Sequence, residues 1–289
     1  MALGVALALI VDLRLAAIVA AWFGLWALNA WMAERAVPGA RILVPVIFGA
    51  TLLLIWELAV RQFEVSAVIL PAPSAVAARF SDAAPTLWAD FVQTIIKGAM
   101  SGYLIGCGAA ILTAIAIDRS RFLQRGLLPV GNFIAALPIV GTAPILVMWF
   151  GFGWQSKAAV VVLMVFFPML VNMVQGLRAT EAMQRDLMHT YAASYTQSLM
   201  KLRLPAALPF LFNGLKICST LALIGAIVAE FFGSPTVGMG FRIKIEVGRL
   251  AMDMVWAEIT IAALAGSGLY GLIVLIERRM TFWHPSQRQ

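Results

Sequence analysis

Charged and chemically reactive side chains are scarce in this sequence of 289 residues. Only 12% of the residues are charged and 62% are hydrophobic, whereas soluble domains contain about 25% charged residues. These fractions exclude a soluble enzyme and an intrinsically disordered chain. The two cysteines, Cys107 and Cys218, lie inside apolar runs without a Cys-x-x-Cys pair, so neither a disulfide framework nor a zinc site is indicated.

The sequence also lacks the residue groups of a membrane enzyme or a proton-driven carrier. Its two histidines, His189 and His284, lie outside the apolar runs, and no cluster of carboxylates or histidines is suited to metal ligation or a proton relay. No Gly-x4-Gly-Lys-Ser/Thr phosphate loop occurs. We therefore predict no catalysis, cofactor or metal in this chain, so that another chain must power any driven transport. A secondary transporter driven by an ion gradient remains the alternative.

The sequence contains instead a series of apolar stretches that can cross a membrane. About 20 helical residues span a hydrocarbon layer of about 30 Å, and lipid offers no partner to unpaired backbone groups. We predict an all-α polytopic transmembrane helix bundle with six core spans and an extra N-terminal span. The stretches lie near 15–33, 42–60, 91–117, 127–150, 158–177, 206–232 and 256–276.

Basic residues predict the orientation of these spans. Lys and Arg are more frequent in the loops that share a side with the C-terminus, which indicates an inner-membrane protein with a cytoplasmic C-terminus.

The sequence leaves open whether residues 1–31 are a span, a leader or precede a start at Met32. The predicted regions are an N-terminal extension (1–40), a first core span with an outer-face connector (41–90), a core (91–280) with a cytoplasmic loop (178–205), and a tail (281–289).

Small and amide residues predict close helix packing. Small side chains let neighbouring helix backbones approach, and amides hydrogen-bond between helices. The small residues recur at every fourth position of the third span: Gly98, Gly102, Gly106 and Ala110. The amides within spans are Asn132, Asn172 and Asn213.

Prolines interrupt the predicted fourth span. Pro129, Pro138 and Pro144, with Gly141, predict a kinked or broken helix. Backbone groups freed at membrane depth are tolerated against protein or a water-lined cavity, so this span is a candidate for lining a substrate pathway. A kink that serves only packing is the alternative. The candidate pathway residues are Pro138, Gly141, Pro144, Trp149, Phe167, Asn172 and Glu230.

The few charged residues within spans need water or partners, because a buried charge is costly there. Glu57, Lys97 and Glu258 lie near span ends, where we expect them to reach the interface. Lys216 is long enough to snorkel to the inner side. For Glu230 two roles stay open: closing an outer vestibule, or hydrogen-bonding the adjoining loop.

The segment from Arg178 to Pro209 predicts two short helices beneath the bilayer. Thr180 is expected to cap the first, with Glu181 in its opening turn, and Ser194-x-x-Gln197 forms a capping box for the second. Leu204-Pro205 is expected to end that helix and restart the chain into the sixth span. These helices offer a docking surface for a cytoplasmic partner, with a plain surface linker as the alternative.

This loop resembles the coupling loop of permease subunits in binding-protein-dependent ABC importers, whose signature is Glu-Ala-Ala-x3-Gly-x9-Ile-x-Leu-Pro. Further similarity indicates the nitrate, sulfonate, taurine and pyrimidine-precursor branch. The segments that carry it are Leu70–Ser74, Trp149–Gly153 with Ser156-Lys157, Phe167-Pro168, Leu204–Pro209, Gly214–Lys216 and Ala229-Glu230. The segment 231–240 resembles permeases for pyrimidine-type thiamine precursors more than those for taurine.

The resemblance implies a MetI-like permease and a set of partners. These are a second permease copy, ABC ATPase subunits that use ATP and Mg, an extracytoplasmic substrate-binding protein and the lipid bilayer, with no nucleic acid. It assigns ATPase coupling to Asp186, His189, Tyr191, Ala192, Ala193, Ser194 and Gln197. Ala192 stands where the family has glycine. If the left-handed turn is kept, this alanine costs about 1 kcal/mol.

Overall fold

The computed structural model describes residues 2–34, 40–120, 122–123, 125–126, 137–233 and 236–283. Within these ranges all regular structure is helical, which confirms the all-α prediction. The helices are α1 (Ala2–Glu34), α2 (Ala40–Gln62), α3 (Pro73–Asp82), α4 (Ala84–Arg119), α5 (Ile139–Phe150), α6 (Trp154–Arg178), α7 (Ala182–Thr190), α8 (Tyr195–Gly233), α9 (Met239–Gly248) and α10 (Met252–Met280). Five of the described helices, α2, α4, α6, α8 and α10, are long and apolar enough to cross a membrane.

Two of these long helices contain π-helical segments. The segment Val92–Met100 lies within α4, and Leu199–Arg203 lies within α8. The expectation that Leu204-Pro205 ends a separate loop helix is therefore wrong, since the chain runs on helically from Tyr195 to Gly233. The wider π turn pairs the Leu204 N–H with the Leu199 carbonyl, and Pro205, which lacks an N–H, follows directly after this turn.

The predicted fourth span is short in the described residues. Helix α5 has 12 residues and begins directly after Pro138, whose backbone is extended. Pro144 lies within α5. Pro138, one of the prolines that predicted an interruption, thus lies immediately before the first residue of α5. Residues 127–136, which include Pro129 and Asn132, lie outside the described residues.

The chain divides into two compact units, of which the first comprises Met1–Ala84 and Glu246–Ala257. In this unit α1 packs on α2, where the Trp22 and Phe48 rings meet edge to face at 6.3 Å. Glu57 accepts hydrogen bonds from the backbone N–H (2.9 Å) and the hydroxyl (2.8 Å) of Ser74. Its carboxylate therefore occupies the N-terminus of α3, where N–H groups lack helical partners.

The second unit comprises Pro85–Ile245 and Glu258–Gln289, and its core lies among α4, α6 and α8. The small-residue stripe of α4 faces α6, where a Cβ on Gly98 would meet Lys157 Cβ at 3.4 Å and one on Gly106 would overlap Val165. Across the α6–α8 contact, Asn213 Nδ2 donates to Asn172 Oδ1 at 2.9 Å. The predicted small-residue contact and the interhelical amide bond are therefore confirmed.

Candidate coupling loop and membrane pathway

The first loop helix, α7, begins at a different residue from the one expected. Glu181 is its N-cap, and the Glu181 N–H donates to Gln184 Oε1 at 3.2 Å as one arm of a capping box. The expectation that Thr180 caps this helix is wrong. Thr180 is buried, and its hydroxyl has no hydrogen-bond partner among the described residues. Glu181 with Gln184 has the spacing of a capping box and takes the N-cap position.

Helix α7 ends in a left-handed turn. Ala192 has φ of 49°, so this alanine adopts the conformation that glycine favours at the end of a helix. The Ala193 N–H donates to the Met188 carbonyl (3.0 Å) and the Ala192 N–H to the His189 carbonyl (2.9 Å). These two bonds are the pair that defines a Schellman motif. The turn geometry expected from the family glycine is therefore retained on an alanine.

Helix α8 begins with the predicted capping box. The Gln197 N–H donates to Ser194 Oγ at 3.3 Å, and the Ser194 N–H donates to Gln197 Oε1 at 2.8 Å. The backbone N–H groups of Ser194 and Gln197 are therefore both satisfied within the loop itself. The loop between the two helices is consequently a tight corner fixed at both sides.

Most of the predicted coupling residues are exposed on this corner. Asp186, His189, Tyr191, Ala192, Ser194 and Gln197 are exposed, and Ala193 is half-buried. Sequence reasoning missed Met183, which is 78% exposed and shares one face of α7 with Leu187 and Tyr191. The spacing of these three residues by four is the signal that was available. An exposed apolar stripe of this kind is typical of a binding surface.

Two of the predicted pathway residues meet in one open groove. Trp149 of α5 and Phe167 of α6 line a space of about 660 Å³ whose walls also include Trp154 and Phe166. The Phe166 and Phe167 rings meet edge to face at 4.9 Å. Pro138, Gly141 and Pro144 do not line this groove; they belong to α5 or to its start.

The other two pathway residues lie elsewhere. Asn172 holds α8 through Asn213, and its Nδ2 also donates to the Pro168 carbonyl at 2.8 Å. Glu230 is 1% exposed and is a wall residue of a separate cavity of about 360 Å³ near Phe152 and Lys244. The structure thus does not bring all the predicted pathway residues together.

Glu230 belongs to a buried network that holds the N-terminus of α9. Its carboxylate accepts from the Gly240 N–H at 2.8 Å and from Thr94 Oγ1 at 2.9 Å. Thr94 Oγ1 in turn accepts from the Met239 N–H at 2.8 Å. Carboxylates are favourable at helix N-termini. Glu230 thus hydrogen-bonds the second residue of the helix that follows the loop, and its closing of an outer vestibule stays a prediction.

The same network contains Asp90, which sequence reasoning missed. Asp90 is fully buried and accepts from the Gly238 N–H (2.6 Å) and from Arg242 Nε (2.8 Å). Gly238 has φ of 135°, and a Cβ there would stand 2.5 Å from a Glu230 carboxylate oxygen. Only glycine fits this position.

A lysine and a further glutamate are also buried in the second unit. Lys157 is fully buried, and its Nζ donates to the carbonyls of Phe152 (2.7 Å) and Gly233. Glu258 is also fully buried, and neither of its carboxylate oxygens has a hydrogen-bond partner among the described residues. The expectation that Glu258 reaches the membrane interface is therefore wrong.

Near the C-terminal end of α10, Glu277 pairs with Lys216. Lys216 therefore forms an ion pair instead of snorkelling to the inner side of the membrane. Its Nζ lies 2.9 Å from Glu277 Oε2, and both side chains are at most 20% exposed. The pair joins α8 to α10. Lys216 thus has a buried acidic partner, which satisfies a charge that would otherwise be costly within a span.

The long apolar helices are those of a membrane-embedded protein. A family profile described as the inner membrane component of binding-protein-dependent transport systems matches residues 102–282, and the chain belongs to this family. The matching members are transport permeases, not enzymes. Membership implies an ATPase and a substrate-binding protein as partners in general.

The alignments with individual relatives cover most of the length of each relative. A probable ABC transporter permease protein of Haemophilus influenzae is 34% identical over 80% of this chain and 93% of its own. The riboflavin transport system permease protein of Chloroflexus aurantiacus is 32% identical over 81% and 88%. The formylaminopyrimidine transport permease protein of Halalkalibacterium halodurans is 29% identical over 86% and 98%.

Proposed function

We propose that this chain forms the translocation path of an ATP-driven importer for a small organic solute. Two copies enclose the path, and ATPase subunits bind the loop 178–205 on the cytoplasmic side, where the C-terminus also lies. ATP and Mg are bound by those ATPase subunits. Closure of the ATPases moves the loop and switches the spans between outward and inward openings.

The observation that carries this proposal is the structure of the loop. Two capped helix starts and a Schellman turn hold a corner whose exposed face includes Met183, Leu187 and Tyr191. A docking surface that must transmit force needs this local rigidity, since a flexible linker would absorb the motion. The apolar stripe supplies contact area for a groove on the partner.

For the substrate we propose a planar heteroaromatic compound of the pyrimidine or flavin class. The names of two relatives, for riboflavin and for formylaminopyrimidine, support this class. The open groove lined by Trp149, Trp154, Phe166 and Phe167 supports it physically, because flat rings stack on aromatic side chains. Relatives named for aliphatic sulfonates and taurine make a sulfonate-type anion the second candidate.

Transport in proteoliposomes tests the proposal. The chain is reconstituted with its cognate ATPase and binding protein, and uptake of labelled pyrimidines, riboflavin, taurine and nitrate is measured. We expect uptake of a heteroaromatic compound that requires ATP, the ATPase and the binding protein. Uptake by the chain alone under an ion gradient would show a secondary transporter, and ATP-dependent uptake of taurine alone would overturn the substrate class.

A further inference from the structure

One arginine joins three helices at the base of the coupling loop. Arg203 Nη1 and Nη2 donate to the two carboxylate oxygens of Asp118 at 2.6 and 2.5 Å. Arg203 Nε and Nη2 also donate to the Leu177 carbonyl at 3.1 and 3.0 Å. Asp118 belongs to α4, Leu177 to α6 and Arg203 to α8. The fork of a single guanidinium therefore connects the ends of two helices to the start of a third.

The positions of the partners show that this contact is more than an incidental ion pair. Leu177 precedes the last residue of α6, so its carbonyl has no partner within the helix and needs an external donor. Asp118 lies in the last turn of α4, where a negative charge opposes the helix dipole. Its side chain is 10% exposed and that of Arg203 is 15% exposed. Asp118 is unfavourable for its own helix and is stabilised by Arg203.

Asp118 also holds the loop at a second point. Tyr195 Oη donates to Asp118 Oδ2 at 2.9 Å, and the Arg119 guanidinium lies 5.7 Å from the centre of the Tyr195 ring. Tyr195 is the first residue of α8, directly after the capping residue Ser194. One carboxylate thus fixes both the first residue of α8 and the last residue of its π segment, so that this part of the loop cannot shift without moving α4.

We propose that the contact of Arg203 with Asp118 and Leu177 is the positioning element that transmits movement of the coupling loop to α4 and α6. This inference rests on the proposed function, because it assumes that an ATPase moves the loop. A bidentate guanidinium resists both sliding and rotation, whereas a single hydrogen bond acts as a pivot. Loss of the fork leaves the docking face of α7 intact but disconnects it from the spans.

The test measures solute transported per ATP hydrolysed in the full complex of permease, ATPase and binding protein. Arg203→Lys keeps the positive charge but cannot contact Asp118 and Leu177 through a fork, and Asp118→Asn keeps the side-chain shape but removes the charge. We expect both variants to assemble with the ATPase and to hydrolyse ATP, while transport per ATP falls about fivefold or more. Tyr195→Phe removes one hydrogen bond and should give a smaller decrease in the same direction.

Arg278→Gln is the matched control, since Arg278 is an exposed arginine near the end of α10. We expect this variant to transport as the wild type does. If Arg203→Lys and Asp118→Asn assemble and keep the wild-type ratio, the inference is wrong, and the same holds if they lose ATPase binding. If either variant fails to fold, the Tyr195→Phe variant replaces it: a decrease in transport per ATP supports the inference, and a wild-type ratio shows that it is wrong. Failure of the wild-type complex to couple transport to ATP would instead overturn the proposed function.

Discussion

Gly102 of α4 lies directly against α6, so that a Cβ atom on residue 102 would stand 2.5 Å from Val161 Cβ and 2.7 Å from the Ala158 carbonyl oxygen. The second of these contacts is with backbone, which cannot turn aside as a flexible side chain can. We therefore expect Gly102→Ala to destabilise the bundle by about 1–3 kcal/mol, and Gly102→Leu to prevent assembly and transport. Thermal unfolding in detergent, followed by size-exclusion chromatography, measures both effects.

Gly108 of the same helix provides the control for this prediction. A Cβ there meets nothing within 4 Å, so Gly108→Ala should be neutral or stabilise the helix by about 0.5–1 kcal/mol through lower backbone entropy in the unfolded state. Equal effects of alanine at residues 102 and 108 would show that the close α4–α6 contact does not govern stability.

Thr94 connects two buried groups that have few other partners. Thr94→Val keeps the shape but leaves the Met239 N–H without its acceptor and removes a donor from Glu230. We expect a loss of about 1–3 kcal/mol and faster hydrogen exchange at the start of α9. Thr94→Ser keeps the hydroxyl and should stay near the wild type. If the valine variant matches the serine variant, the network does not hold α9.

Ala192 is strained by its left-handed backbone, with φ of 49°. Ala192→Gly should stabilise the loop by about 1 kcal/mol, because glycine adopts this conformation without the Cβ clash. Ala193→Gly is the control: Ala193 is not among the positive-φ residues, and the change should cost about 0.4–1 kcal/mol. Denaturant unfolding of both variants measures the difference. A destabilised Ala192→Gly variant would show that the turn is not retained in the membrane.

Helix α10 contains two buried glutamates in opposite situations. Glu258 has no hydrogen-bond partner among the described residues, whereas Glu277 pairs with Lys216. A buried carboxyl group without a hydrogen-bond partner is costly, and glutamine keeps its shape without an ionisable group, so Glu258→Gln should leave the unfolding temperature unchanged or raise it. Glu277→Gln weakens a charge-assisted bond and should cost about 1–3 kcal/mol. The reverse order of stabilities in a thermal scan would show that Glu258 gains a partner in the assembled transporter.

Local sequence signals predicted local structure well in this protein. The spacing of Ser194 and Gln197 predicted a capping box that the structure contains, because both hydrogen bonds join residues three apart. The expected Thr180 cap was wrong because Glu181 and Gln184 form a competing box one residue later. The break expected at Pro205 was wrong because a π turn accommodated the missing N–H.

Pairings between distant residues were not predicted. Asp118 and Arg203 are 85 positions apart, and Thr94 and Glu230 are 136 apart. No local pattern distinguishes such residues from charges that face water or headgroups. Glu258 and Lys216 were both assigned to the membrane interface on this basis, and the structure instead buries the first and pairs the second with Glu277.

The sequence by itself determined that this protein is an all-helical membrane permease with a capped loop between α6 and α8, because apolar length, helix caps and family motifs are properties of neighbouring residues. Only the tertiary structure decided which polar side chains meet inside the bundle. The physical reason is that a charge among apolar side chains is stable when a donor or acceptor from another helix reaches it, and helix packing alone sets which helices come that close.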